Sequence, residues 1–382
     1  MKKPLLYVVP IIDTEGPTLG RSDMYDSWGS LLVGMKRLTG VIRDSLIDSH
    51  GRKLVMSWFL LDWIGYSKND AEFSKRGHDA RLYSVWDAYT KDILSDDTRL
   101  HTKDGLFWHY HHPPKDGRWG WNKDWNDSRW YEYILGRLIL DRGYFPSIYR
   151  AGKYVQTNES SLWLEKYIPF DYSSVSPVKR DFCDWSQAPT DWHPYHPDRE
   201  NYQKKGTMKR LIARSIPVAA KGGSGELDEM EVVKAFEEAS MNGVAIFSYH
   251  SHDYYKSIED EFVKAHKLVA KVASSFDVHW KYSNALDALR TFSRPQSSFE
   301  IKIEEYMPDV LKISLPHSLV GEEPFVIAEN VKGEVERLDL EKIDEHFIAK
   351  VPKDAVLIGV GGSDTWGNAA TAVYDVKTRS AR

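Results

Sequence analysis

Two carboxylates stand one residue apart in "PIIDTEGP", residues 10 to 17, where an apolar run meets a Gly-Pro turn. Side chains alternate along an extended segment, so Asp13 and Glu15 project to the same side and repel unless a cation lies between them. A second cluster, "FWHYHHPP", brings His109, His111 and His112 together beside two rings. His109 and His111 share one face of a strand, as two imidazole ligands of one metal do, and the Pro pair stops the strand. Two His with one carboxylate form a common catalytic metal shell that leaves positions open for water and substrate, and Glu15 is the carboxylate expected to complete it. Asp13 is then free to take a proton from a water whose pKa a metal has lowered. Arg150, in "YRAGK", can hold that carboxylate ionised through a fork of hydrogen bonds. For a departing amine, "FSYHSHDYY" supplies a proton donor: His250 is the strand-end position and the first choice, His252 lies on the same face, and Asp253 can orient either ring.

Aromatic residues make up 13% of the chain, and Trp119, Trp121, Trp125 and Trp130 crowd among charges in "RWGWNKDWNDSRW". Rings interleaved with Asp, Asn and Arg present faces that suit the apolar faces of sugars. The long stretch "DFCDWSQAPTDWHPYHPDRENYQKKG" carries Trp185, Trp192, His193, Tyr195, His196 and Tyr202, and loops of this length inside a domain are usually functional. It is expected to form a substrate-side lid or wall. Trp119, Trp121, Trp185, Trp192, Tyr195 and Asp253 are the expected substrate-binding residues.

The elements that must position these groups alternate between strand and helix up to about residue 292. "LLYVVPII", "KLVMSWFLL", "GLFWHYH", "SIYRAG", "LIARSIPV", "GVAIFSYH" and "FDVHWKY" read as strands separated by helical runs. Seven to eight such units predict an α/β fold, a (β/α) barrel of parallel strands, with the chemical residues at the carboxyl ends where barrel sites form. After "SRPQSS" the period changes to short alternating segments, "FEIKIEE" through "TAVYDV", the signature of a small antiparallel sandwich. The expected domains are a catalytic barrel over 1–295 and an accessory β-sandwich over 296–382.

Bulk properties narrow the partners. The 382 residues carry 51 basic against 56 acidic side chains, a formal net charge of -5, so nothing points to nucleic acid or an anionic membrane. The single cysteine, Cys183, has no partner for an internal disulfide, and no run is long and apolar enough to span a bilayer. "MKKPLLYVVPII" reads as a strand rather than an export signal, which gives a cytoplasmic location as the expectation.

These motifs, in this order, resemble those of the polysaccharide deacetylase (NodB homology, carbohydrate esterase family 4) superfamily over about residues 5 to 292. "DTEGP" resembles its first motif in the D-x-[DE] form, "HYHH" its metal-His motif, "YRAG" its third motif, "FDYSSVSP" a groove-shaping segment and "FSYHSHD" its last motif. The resemblance implies a deformed (β/α) barrel, Asp13 as base, Glu15 as metal ligand, Arg150 as partner of the base, and a catalytic His in the last motif. The usual spacing H-x-x-x-H is replaced here by Pro at 113, so the metal pair is His109 with either His111 or His112, and "HSHD" offers both His250 and His252 as the acid. "IGVGGSDTWGNAATAVYDV" is similar to a strand pair of an immunoglobulin-like sandwich. The function implied is a divalent-metal-dependent deacetylase of an acetylated sugar or polysaccharide precursor in surface polysaccharide biosynthesis, with zinc the first choice and iron, cobalt, nickel or manganese compatible. Another metal-dependent amide or ester hydrolase, or a non-catalytic glycan-binding protein, are the alternatives.

Overall fold

The computed structural model describes residues 3–18, 20–61, 84–112, 124–125, 130–219, 226–298, 300–315 and 319–382. Trp119 and Trp121 lie outside the described residues. The strand-like runs of the first 290 residues become β1 (Leu5–Thr14), β2 (Ser57–Leu61), β3 (Gly105–Tyr110), β4 (Ile148–Ala151), β5 (Phe170–Ser174), β6 (Leu211–Arg214), β7 (Ile216–Pro217), β8 (Val244–His252) and β9 (His279–Tyr282). All of their pairings with one another are parallel, in the order β6-β5-β4-β3-β2-β1-β8-β7, with β9 also against β1. β6 and β7 are one stretch bent at Ser215, the first half pairing with β5 and the second with β8, so the ring is nearly closed. The remaining seam is filled by the long excursion: Trp192 accepts from the Ile246 amide at 2.9 Å through its carbonyl, and Tyr195 bridges antiparallel to Ile212.

The period of two sorts the strands into two shells. Val9 and Ile11, Phe59, Phe107, Ile148, Tyr172, Ala213 and Ile246 fill the lumen. Their neighbours Val8, Leu60, Trp108, Tyr149 and Phe247 point outward into a layer shared with helical residues such as Leu135, Ile139 and Phe262. Apolar packing therefore fills the barrel to a fixed height. The next inward positions on β1, β3, β4, β5 and β8 are polar: Asp13, His109, Arg150, Ser174 and Ser248. The run after β1 departs from a single helix: helix Trp28–Arg37 gives way to a π-helical turn, Leu38–Ile42, around Gly40.

Past the last barrel helix, Ala285–Arg290, every described element is a strand. Lys302–Met307, Val310–Ser314, His346–Lys350 and Leu340–Ile343 make one antiparallel sheet, and Val335–Arg337, Phe325–Asn330, Ala355–Ser363, Ala369–Asp375 and Ser380–Ala381 make the other. The barrel and the all-β unit are both those that the resemblance implies. They share one core, because Phe325, Ile327 and Val373 belong to the same buried cluster as Leu135 and Ile139 of helix Trp130–Arg142. The approach is close enough that a Cβ on Gly136 would stand 2.8 Å from Val335 and one on Gly359 2.9 Å from Ile139. Arg137 adds an ion pair to Glu329 at 2.8 Å, and the Ser363 hydroxyl donates to the Tyr167 carbonyl at 2.6 Å. No helix among the described residues is long and apolar enough to cross a membrane.

Phe325→Ala is expected to lower stability by about 3–5 kcal/mol, as large-to-small changes of buried aromatics do. Because the cluster spans both units, far-UV and tryptophan signals should report one shared unfolding transition; separate transitions would show that the two cores are independent.

Candidate functional site

Above the apolar filling, Asp13, His109, Arg150 and His250 continue the inward series of β1, β3, β4 and β8, and they meet at the carboxyl ends of the strands. Arg150 binds Asp13 with two parallel bonds, Nε to Oδ1 at 2.6 Å and Nη2 to Oδ2 at 3.0 Å, and its Nη1 donates to the Tyr172 carbonyl. Both partners are buried. Burial alone would push the Asp13 carboxyl up, but Arg150, with His109 and His252, holds it below the ordinary carboxylate range. The result is a carboxylate kept ionised inside the protein.

One level further out, Glu15 Oε1 lies 3.2 Å from His111 Nε2 and 3.6 Å from His109 Nε2. The two Nε2 atoms are 3.1 Å apart. All three donor atoms fall within 4.8 Å of one another, and all three residues are buried. His109 Nδ1–H donates to the Arg150 carbonyl at 3.1 Å, which fixes the tautomer and leaves the Nε2 lone pair directed at Glu15 and His111. Two imidazole nitrogens and a carboxylate oxygen converging in this way fit a divalent metal of the zinc or first-row type. Gly152 makes room for the shell: a Cβ there would lie 2.1 Å from the His111 ring.

His112 does not join the group. It is one residue out of phase with His109 and His111, so its ring turns to the other side, where Nδ1 accepts from the Tyr110 hydroxyl at 2.7 Å and Nε2–H donates to the Asp124 carbonyl at 2.5 Å. It stacks on Trp125 with centroids 5.4 Å apart. Asp253 also has a different task from substrate binding or ring orientation. Fully buried, it accepts from the backbone amides of Glu15 at 2.9 Å and Gly16 at 3.0 Å and from the Tyr89 hydroxyl at 2.7 Å. It holds the D-T-E-G turn in shape. Burial, partly offset by these hydrogen bonds, pushes its pKa up to about 6.

The two candidate acids differ. His252 faces the shell, its Nε2 3.7 Å from Glu15 and 3.9 Å from Asp13, and its side chain is 22% exposed. His250 is enclosed, with Ser215 Oγ 2.9 Å from Nδ1 and the Tyr154 hydroxyl 2.8 Å from Nε2.

Trp185 and Trp192 are corrected as substrate-binding residues, because their rings are fully buried. Tyr195 is also largely buried, but lines a surface cleft with Asp191, His193 and His196. An excursion this long builds a small core of its own around Trp185, Tyr195 and Tyr202, while Trp192 joins the main barrel cluster. Trp185 donates from Nε1 to the Tyr154 carbonyl at 3.0 Å and packs on Tyr202, Trp192 packs on Phe247 under the Arg214 guanidinium, and the Tyr195 hydroxyl donates to the Tyr202 carbonyl at 2.9 Å. The stretch seals the seam of the barrel with them. Tyr154, Ser215 and Tyr89 join the site without any sequence signal beyond proximity to Arg150 for the first. Lys153 and Tyr154 both have left-handed backbone, φ 53° and 57°, a conformation that costs an L residue roughly 1–2 kcal/mol each.

No family model matches the sequence, and no curated protein matches it. Among solved structures, a Mycobacterium smegmatis protein described provisionally as a polysaccharide deacetylase is similar at 13% identity and TM-score 0.37, over 77% of this chain and 96% of that one. A cell-surface chitinase, ChiW, from Paenibacillus is similar at 10% identity and TM-score 0.33, over 97% of this chain and 56% of that one. At these values nothing is carried over from either protein.

Elemental analysis of purified wild type is expected to give about one equivalent of a first-row divalent metal, and Glu15→Ala, His109→Ala and His111→Ala to lose it while remaining folded. His112→Ala should keep the metal; its loss there would move the ligand pair. Lys153→Gly relieves a left-handed residue and should raise unfolding stability by roughly 0.5–1 kcal/mol in chemical denaturation.

Proposed function

We propose that the protein is a metal-dependent hydrolase that removes the N-acetyl group of a carbohydrate, with an acetylated sugar of a surface polysaccharide or its precursor as substrate. The observation that supports this best is the adjacency of two buried arrangements, the Asp13–Arg150 pair and the Glu15, His109, His111 group, at the mouth of one barrel. The motif order along the chain supplies the carbohydrate.

Glu15, His109 and His111 would hold the metal, which when bound supplies Lewis-acid polarisation and a lowered water pKa. Asp13 is the base: ionised and buried, it can take a proton from a water attacking the acetamido carbonyl carbon. Arg150 orients the carboxylate and keeps it charged through the two-pronged contact. As the carbon–nitrogen bond breaks, the amine needs a proton, and His252 is the donor because its ring faces the shell and opens to the rim. His250, first choice from its place in the sequence, has both ring nitrogens engaged by hydroxyls. Products are acetate and the free amino sugar.

Acetate release from N-acetylhexosamine oligomers by metal-loaded protein is the direct test. Asp13→Asn should lower kcat by about 10²–10⁴-fold, the usual scale of a general base, while metal content stays at the wild-type level. A metal-loaded wild type that binds such glycans without releasing acetate would instead favour the non-catalytic glycan-binding alternative.

A further inference from the structure

His250 occupies an inward position beside Asp13 and Arg150, yet the chemistry proposed above leaves it without a task. Its surroundings are unusual for a buried imidazole. No carboxylate is hydrogen-bonded to it among the described residues; Ser215 and Tyr154 hydroxyls take its two nitrogens at 2.9 and 2.8 Å. Ser215 sits where β6 bends into β7, and Tyr154 sits in the turn after β4. Two separate irregularities of the barrel thus converge on one ring.

A neutral imidazole has one N–H and one lone pair, so two hydroxyl partners must take opposite roles. A phenol is a stronger donor than an aliphatic alcohol. The Tyr154 O–H therefore donates to Nε2, and Nδ1–H donates to Ser215 Oγ. The Tyr154 ring is also held on its other side, since the Arg150 guanidinium lies 5.5 Å from its centroid and the Trp185 indole donates to its carbonyl. The left-handed backbone at Lys153 and Tyr154 is what turns this side chain back over the strand ends; strain of this kind concentrates at functional sites.

We infer that Tyr154 is a positioning residue of the site: its hydroxyl fixes the tautomer and orientation of His250, which forms the wall beside the Asp13–Arg150 pair. Burial, with Arg150 close by, keeps the ring neutral, in agreement with this arrangement. His250 then offers a fixed dipole of known direction to whatever occupies the mouth. The functional consequence rests on the deacetylase reading; the contact itself does not.

The test uses full-length, zinc-loaded protein with 15N-labelled imidazoles, the His250 signals being assigned by their loss in His250→Gln. Wild type is expected to show a single Nδ1–H tautomer for His250. Tyr154→Phe, which keeps the ring and removes only the oxygen, should shift the Nε2 signal and lower kcat for acetate release by about tenfold or more with KM within about twofold, as loss of an orienting contact does. Unchanged His250 signals in Tyr154→Phe would overturn the inference, and so would shifted signals with unchanged kcat in an active enzyme. Wild type that releases no acetate while Tyr154→Phe shifts the His250 signals would remove the deacetylase reading and keep the contact. Should Tyr154→Phe fail to fold, Ser215→Ala reads the other end of the chain: an Nδ1 signal that does not move there overturns the assignment equally.

Discussion

Arg150 is the interaction on which the site depends. Its guanidinium grips Asp13 on β1 and the Tyr172 carbonyl on β5, its own carbonyl sets the His109 tautomer on β3, and its cationic face lies beside Tyr154. A buried ion pair is expensive to form, and losing one partner strands a charge at a cost of about 3–5 kcal/mol. The protein offsets that cost with the two parallel bonds between the partners and a third bond from the guanidinium to the Tyr172 carbonyl. The Asp13 carboxylate, the His109 ring and the Tyr154 ring all contact this one residue, and none can be rearranged alone.

Much of this could be read from the chain because the period of two is strict. Once "VVPIID", "FWHYH" and "IYRA" are strands, Asp13, His109 and Arg150 must follow Ile11, Phe107 and Ile148 into the lumen. The same rule separates His112 from His109 and His111, although the family spacing drew attention to it. What could not be read depends on backbone irregularity. Tyr154 reaches His250 from the turn after β4, where Lys153 and Tyr154 itself adopt left-handed geometry, and Ser215 does so where its strand bends. Asp253 acts on two backbone amides and a distant tyrosine hydroxyl, a task with no sequence pattern. The aromatic excursion misled for a different reason: rings among charges look exposed, but a long loop without helices or long strands must bury its own rings to hold any shape.

The all-β unit is bound into this design more tightly than a tethered module. Helix Trp130–Arg142 joins the barrel cluster through residues such as Leu135 and meets Val335, Ile327 and Gly359 of the all-β unit at Gly136 and Ile139. Glycines at 136, 359 and 361 let backbone and ring approach where any side chain would collide. Such a surface is shaped for permanent contact, and it braces the helix that joins β3 to β4, the two strands carrying His109 and Arg150.

The hold of Asp253 on the amides of Glu15 and Gly16 joins residues 238 and 237 positions apart. During synthesis, the first strand and Glu15, His109 and His111 emerge early, but the residue that shapes the turn at Glu15 arrives only after most of the barrel has left the ribosome. Until then β1 also lacks β8, its longest neighbour, and its apolar run stays uncovered along one edge. A growing chain stopped short of residue 253 would hold Asp13, Glu15, His109, His111 and Arg150 but lack the carboxylate that shapes the turn at Glu15, so that the finished arrangement is a late event in the life of each molecule.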